Sequence, residues 1–322
     1  MSRNIAVIDL GTNTFQMMVA RGNEQGYEVV SQTSTPSRLG KGGINQGILT
    51  DDALERAIRI LKDFRSMLDE HGIARQDTYI FGTSAVRNAA NKDVLLEKIE
   101  SEMGVPVYVI SGDEEAQLIY HGVKQAVPLD QNPHLIVDIG GGSVEFIIAD
   151  RERVFWKQSF EVGGQRLLDR FIKTDPISPA AIRQINNYLN QELIALMNAV
   201  HQYAPATLVG SSGTFETLAE IEYWRNHNSW PPVKEIGFDV PLESFYQSRN
   251  HILSSNREER MKIPGMKELR VDMIGAAICL IDYILQHTPV RSIKASRYSL
   301  KEGAALLIFQ NHFSSESYRQ GL

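Results

Sequence analysis

The sequence predicts an α/β protein built from two similar domains. Three features carry that expectation: the length, a duplicated glycine motif, and strands alternating with amphipathic helices. The chain has 322 residues, which suits two domains at roughly 150 residues each. IAVIDLGTNTFQMMVA (5–20) and LIVDIGGGSVEFIIA (135–149) share one plan. In each, an apolar run ends in an aspartate, a glycine-bearing turn with hydroxyl residues follows, and a second apolar run returns. β-branched residues flanking turn formers read as two strands joined by a tight loop. Between the motifs, TDDALERAIRILKDFRSMLDEHG places Leu54, Ile58, Leu61, Phe64 and Leu68 at helical spacing. Thr50 suits its N-cap, Asp51 and Asp52 suit the dipole, and Gly72 ends it. A second helix is expected from Pro179, capped by Ser178, to near Tyr203. Short β runs lie at 78–82, 105–110 and 206–210. This alternation of strands and helices defines the α/β class.

Composition excludes several classes of function. Hydrophobic residues make up 43% of the chain, enough to build a core and to exclude disorder as the dominant state. Lysine and arginine number 33 against 39 acidic residues, a net charge of −6. Binding of nucleic acid through bulk charge is therefore not expected, and any polyanion must be held locally. The single cysteine, Cys279, excludes a disulfide framework and a multi-thiolate zinc site. No signal peptide pattern is seen, and the apolar stretch 275–285 is far short of the roughly 20 residues of a membrane span. The expectation is a cytoplasmic protein without membrane contact.

The duplicated loops point to phosphate. Glycines let the backbone approach an anion closely, so that successive N–H groups can point at its oxygens. The candidate binding residues are Gly11, Thr12, Asn13 and Thr14 in the first loop and Gly140, Gly141, Gly142 and Ser143 in the second. The aspartates leading into them, Asp9 and Asp138, repel phosphate by themselves but make sense beside Mg²⁺. Neither loop is a Walker A or a Rossmann fingerprint. VGSSGTFETLAE (209–220) reads as strand–turn–helix and adds Gly213 and Thr214 as a third candidate phosphate loop. Arg87, in FGTSAVRNAAN, offers a planar fork of donors. Glu114 and Glu115 begin a helix; one could orient a water for hydrolysis, or both could only complement the helix dipole.

Together these pieces resemble the exopolyphosphatase/guanosine pentaphosphate phosphohydrolase (Ppx/GppA phosphatase) family. The matching blocks are DLGTNTF (9–15), SRLGKG (37–42), TSAVRNAAN (83–91), ISGDEEAQLIYHGV (110–123), DIGGGSVEF (138–146), EVGGQRL (161–167), GSSGT (210–214), ERMKIPGMKELRVDMIGAA (259–277) and SLKEGAAL (299–306). The resemblance implies two ribonuclease H-like domains of the actin-like ATPase superfamily facing a central cleft. Residues 1–126 would form the first, completed by a returning helix within 300–322, and 127–299 the second. It implies Glu115 as the catalytic base, Arg87 as the phosphate-contacting arginine, and Asp138 and Glu145 as acidic positions tied to metal or water. Asp9 joins them as a candidate metal ligand, and Mg²⁺ is the expected cofactor. Family habit further implies a homodimer.

The sequence departs from the family pattern at several positions. Val144 stands where threonine is usual, GSSGT replaces a commoner Gly-Thr-Gly-Gly-Thr, and Lys301 stands where arginine is frequent. No His-Asp dipeptide of the kind found in longer members' C-terminal region occurs, which suggests the short two-domain form. The expected activity is release of terminal orthophosphate from inorganic polyphosphate. Guanosine pentaphosphate hydrolysis, a non-catalytic polyphosphate or nucleotide sensor, and a kinase of the same superfamily are the alternatives.

Overall fold

The computed structural model describes residues 2–313. In chain order it begins with β1 (Arg3–Leu10), β2 (Thr14–Asn23), β3 (Gly26–Pro36), α1 (Asp51–Glu70), β4 (Thr78–Gly82), α2 (Ser84–Asn88) and α3 (Lys92–Met103). There follow β5 (Val107–Val109), α4 (Gly112–Ala126), β6 (His134–Ile139), β7 (Val144–Ala149), β8 (Val154–Phe160) and α5 (Gly164–Phe171). Next come α6 (Pro179–Glu192), α7 (Ile194–Tyr203), β9 (Thr207–Ser211), α8 (Ser212–His227), β10 (Gly237–Val240) and α9 (Leu242–Ser254). The last elements are α10 (Arg257–Met261), α11 (Glu268–Val271), α12 (Ile274–His287), β11 (Ser292–Ser296) and α13 (Leu300–Phe309).

These elements form two compact units, one up to Gly122 together with the segment from Leu300 onward, the other Val123–Ser299. The division between them falls near the end of α4, which runs to Ala126. Of the returning segment expected at 300–322, α13 is described; residues 314–322 lie outside the described residues.

In the first unit the sheet order is β3-β2-β1-β4-β5. β1 pairs antiparallel with β2 and parallel with β4. In the second unit the order β8-β7-β6-β9-β11 repeats the same plan, with β10 added antiparallel at one edge. Each sheet is thus of ribonuclease H-like order: a three-strand antiparallel meander followed by parallel strands reached through helices. The duplicated motifs are the first hairpins of the two meanders.

Burial follows the expected patterning. Thr50 caps α1 by accepting from the Ala53 N–H, and Leu54, Leu61, Phe64 and Leu68 enter a core with Ala6, Ile8, Leu10 and Phe15. Ile58 is only half-buried; Ala57 and Ile60 take the core positions beside it. Ser178 caps α6, but the single helix expected to Tyr203 is two, broken at Leu193 where ψ reaches 21°. The kink turns both Leu193 and Leu196 fully into the core and leaves Ile194 60% exposed. Among the described residues no helix is long and apolar enough to cross a membrane.

Cys279 lies inside α12, the most apolar helix of the second core. Burial, reinforced by Asp282 and opposed by Arg249, pushes its thiol up to about 12. A disulfide reagent offered at about pH 8, where an exposed cysteine reacts readily, should leave the native protein unlabelled. Full labelling of this one thiol should appear only after unfolding in guanidinium, followed by the absorbance of the released thiolate.

Candidate functional site

In the first unit the glycine hairpin is held by its carbonyl oxygens. Asp9 faces Gln16 and Leu10 faces Phe15 across β1 and β2, leaving Gly11, Thr12 and Asn13 as the turn. The Asn13 carbonyl accepts from the N–H groups of Ser37 (2.9 Å) and Arg38 (3.0 Å), and Thr12 O accepts from Gly40 N (2.9 Å). The Ser37 hydroxyl reaches Gly11 O at 3.4 Å. Arg56 of α1 fixes this clamp in turn, donating to Ser37 O (2.9 Å) and Arg38 O (3.2 Å). A trans peptide points its C=O and N–H in opposite directions. With these carbonyls turned to residues 37–40, the N–H groups of Thr12, Asn13 and Thr14 point the other way. The Thr14 hydroxyl is buried and meets no hydrogen-bond partner among the described residues. A buried polar atom in that state is open to water or a ligand.

The same unit holds Arg87 and Glu115. Ser111 and Glu114 form a reciprocal cap at the start of α4: Ser111 N donates to Glu114 Oε2 (2.7 Å) and Glu114 N to Ser111 Oγ (3.2 Å). Glu114 is thereby a structural cap. Its neighbour Glu115, only 8% exposed, accepts from Arg87 Nη1 at 2.8 Å. That same nitrogen donates to Ile110 O at 3.0 Å, which anchors the arginine to the end of β5. The structure therefore brings Arg87 and Glu115 together, and separates the roles of the two adjacent glutamates.

The second unit repeats the clamp. Asp138 faces Glu145 across β6 and β7, and residues 140–143 make the turn. Gly140 O accepts from Gly164 N (2.9 Å), Gly141 O from Gln165 N (2.9 Å), and Gly142 O from Gly163 N (3.1 Å) and Arg166 Nε (2.8 Å). The first N–H groups of α5, orphaned in any helix, are thus spent on the loop's carbonyls, and the N–H groups of Gly141, Gly142 and Ser143 point away from α5. Arg166 is itself held by Glu161 at 2.7 Å. Glu145 Oε1 accepts from the hydroxyls of Ser143 and Ser159, each at 2.7 Å. Val144 is fully buried, so its methyl groups serve the core.

Asp138 also meets the third loop. Its Oδ2 accepts from Ser211 Oγ at 2.6 Å and from the Ser299 hydroxyl. β9 runs straight into α8, as expected, through Ser212 with a left-handed φ of 69°. Gly213 and Thr214 lie in the first turn of α8 and are buried. The guanidinium of Arg270, from α11, rests on Gly213; a Cβ there would stand 1.8 Å from Arg270 Cζ. Burial draws the Arg270 pKa below its ordinary value, against the opposing fields of Glu216, Asp138 and Glu220. Burial, with Glu216 beside it, raises Glu220, and Lys267 (2.7 Å) and Arg297 counter this.

Arg270 and Arg166 escaped the sequence reading. Both lie in blocks that carry the family resemblance, but neither stands in a glycine loop, and only the folded chain shows which loop each touches. Among the described residues no group of three or more His, Cys, Asp or Glu is close enough to hold a metal ion by itself.

Residues 18–312 match the model of the Ppx/GppA phosphatase family. The crystal structure of an exopolyphosphatase from Cytophaga hutchinsonii is 41% identical, with a TM-score of 0.92 over 96% of this chain and 98% of that one. An exopolyphosphatase-like protein is 26% identical, with a TM-score of 0.87 over 97% of this chain and 99% of its own. The Aquifex aeolicus member of the Ppx/GppA family shares the fold at 23% identity, with a TM-score of 0.78 over 98% and 100% of the two chains.

The clamp makes Gly163 indispensable, since a Cβ there would lie 2.5 Å from the backbone of Gly141 and Gly142. Gly163→Ala should destabilise the protein by about 1–3 kcal/mol through overpacking. Urea unfolding checks this; an unchanged midpoint would show that the loop yields freely.

Proposed function

The chain belongs to the Ppx/GppA phosphatase family, and from that membership we propose that it is an exopolyphosphatase. In this reading it hydrolyses the terminal phosphoanhydride of inorganic polyphosphate and releases orthophosphate. The observation that carries the reading is the pair of glycine hairpins, each clamped through its carbonyls so that its N–H groups are presented to an anion. Preorganised donors of this kind stabilise charge that develops in a transition state without reorganising.

Glu115 is the group suited to take a proton. The ion pair with Arg87 fixes its carboxylate, and Glu114 supplies the helix cap, so Glu115 is left for chemistry. Water would attack the terminal phosphorus, forming a new P–O bond as its proton passes to Glu115. The bridging P–O bond would break, and the shortened chain would leave as a phosphate oxyanion. Arg87, with five donors in a plane, can meet a phosphate oxygen while it orients Glu115.

Mg²⁺ fits the donors present. Within the first unit Asp9, and within the second Asp138 and Glu145, each offer the hard carboxylate oxygens that this ion takes, with water or phosphate completing either shell. Two hydroxyl donors hold Asp138 and two hold Glu145, which orients both carboxylates. Bound there, the ion would neutralise phosphate charge and polarise the bond to be broken.

The preference for polyphosphate is supported by the exopolyphosphatase from Cytophaga hutchinsonii, the structural relative with 41% identity. Glu115→Gln should keep the fold, read by an unchanged melting temperature, while phosphate release falls by about 10²–10⁴-fold. Near-normal turnover in that variant would remove Glu115 from the mechanism. The wild-type protein should release phosphate from polyphosphate when offered it alongside guanosine pentaphosphate. Release from guanosine pentaphosphate alone would overturn the substrate proposed here.

A further inference from the structure

A cavity of about 220 Å³ opens in the second unit between α8, α9 and the segment that follows α10. Buried Ile221, Ile252 and Ile263 make its floor, and exposed Arg225, His251 and Pro264 stand at its mouth. The walls are held together by contacts outside the cavity. Gly265, with a left-handed φ of 90°, lies directly on α8, where a Cβ would stand 2.7 Å from Ile221 N. Two residues on, Lys267 pairs with the buried Glu220 of α8 at 2.7 Å. The cavity is therefore preformed, as small-molecule sites commonly are.

Its polar groups define what it can take. Trp224 lines the cavity, and its indole Nε1 is buried with no hydrogen-bond partner among the described residues. An indole N–H can only donate, and a buried donor without an acceptor is costly. Trp230 meets the Trp224 ring edge to face at 6.0 Å, a contact far weaker than a hydrogen bond to oxygen. Arg225 donates through Nη1 to Glu222 and Ser244 and through Nη2 to Ser248, while its Nε meets no acceptor among the described residues. No acidic residue lines the cavity. Donors above an apolar floor suit a ligand whose acceptor group is carried on an apolar body, and a guanidinium favours an anionic acceptor.

We propose that this cavity is a binding site for a small carboxylic acid. Its chain or ring would lie on the three isoleucines, and its carboxylate would accept from Trp224 and Arg225. None of the lining residues belongs to a glycine loop, and the inference stands whichever substrate the protein hydrolyses.

Proton NMR of the full chain tests it, with octanoate and phenylpropionate as probes and the corresponding amides as controls. The Trp224 indole N–H resonance, assigned by its loss in Trp224→Phe, should move downfield as either acid is added. Dissociation constants from the titration should be about tenfold or more lower for the acids than for the amides, as a hydrogen bond to a charged group requires. Arg225→Leu should remove that preference. Ile252→Phe, which fills the floor, should abolish binding of every probe. Thermal melts confirm folding, and Arg225→Leu carries the test if Ile252→Phe fails to fold. A resonance unmoved by either acid would overturn the inference. So would equal binding of acids and amides, unchanged affinity in Arg225→Leu, or binding that survives in folded Ile252→Phe.

Discussion

Both candidate phosphate loops depend on one interaction: their carbonyl oxygens are occupied from behind. A tight turn built on glycine is weakly specified by its own side chains, and its peptide groups could face either way. Residues 37–40 in one unit and 163–166 in the other remove that freedom by donating to the turn's carbonyls. Because C=O and N–H are opposed in each peptide, fixing the first aims the second. The clamping segment follows the third strand of the meander in both units, so the duplication extends beyond the glycine motif to the device that orients it. Arg56 and Arg166 reinforce the clamps from different elements, one bonding to the clamp and the other to the loop itself. What recurs is therefore the geometry rather than the residues.

The same economy appears in α4. Adjacent glutamates at a helix start are chemically equivalent in sequence, yet they differ by about 100° around the helix axis. Glu114 curls back to its own backbone and Glu115 reaches Arg87. One closes the helix end, which frees the other from capping. α13 then packs on the same helix through Gly303, one turn beyond Glu115, while its Lys301 reaches the hairpin. The helix that carries Glu115 and the first unit's glycine turn are thus referred to a common support from a distant part of the sequence.

Much of this was legible from the chain alone. Apolar runs ending in Asp-x-Gly showed both hairpins, and helical spacing with Thr50 and Ser178 as caps showed α1 and α6, because these are local effects of a few residues. What was not legible is long-range. Ser211 and Ser299 reach Asp138 from 73 and 161 residues away, and Lys301 reaches Gln16 from 285. Arg270 lies outside the glycine-rich phosphate loops, and only the folded chain places it on Gly213. The split at Leu193 escaped for a different reason: an apolar stripe continues through it, and periodicity does not register a change in helix axis.

The excess of acid in the composition finds its place in this arrangement. With a net charge of −6 the chain as a whole repels a polyanion. The cations that matter are few and confined: Arg87 bound to Glu115, Arg166 to Glu161, and Lys301 between Gln16 and Glu302. Each is paired and each is fixed by a second contact, so none acts as a diffuse attractor. Arg270 differs, since it lies against a glycine with no carboxylate within ion-pair distance among the described residues. Its charge is disfavoured by burial and supported by three acidic neighbours at longer range, which is the balance that keeps a guanidinium in place without occupying its donors. In the function proposed for this chain, the directed N–H groups of the two turns supply the close contacts to an anion.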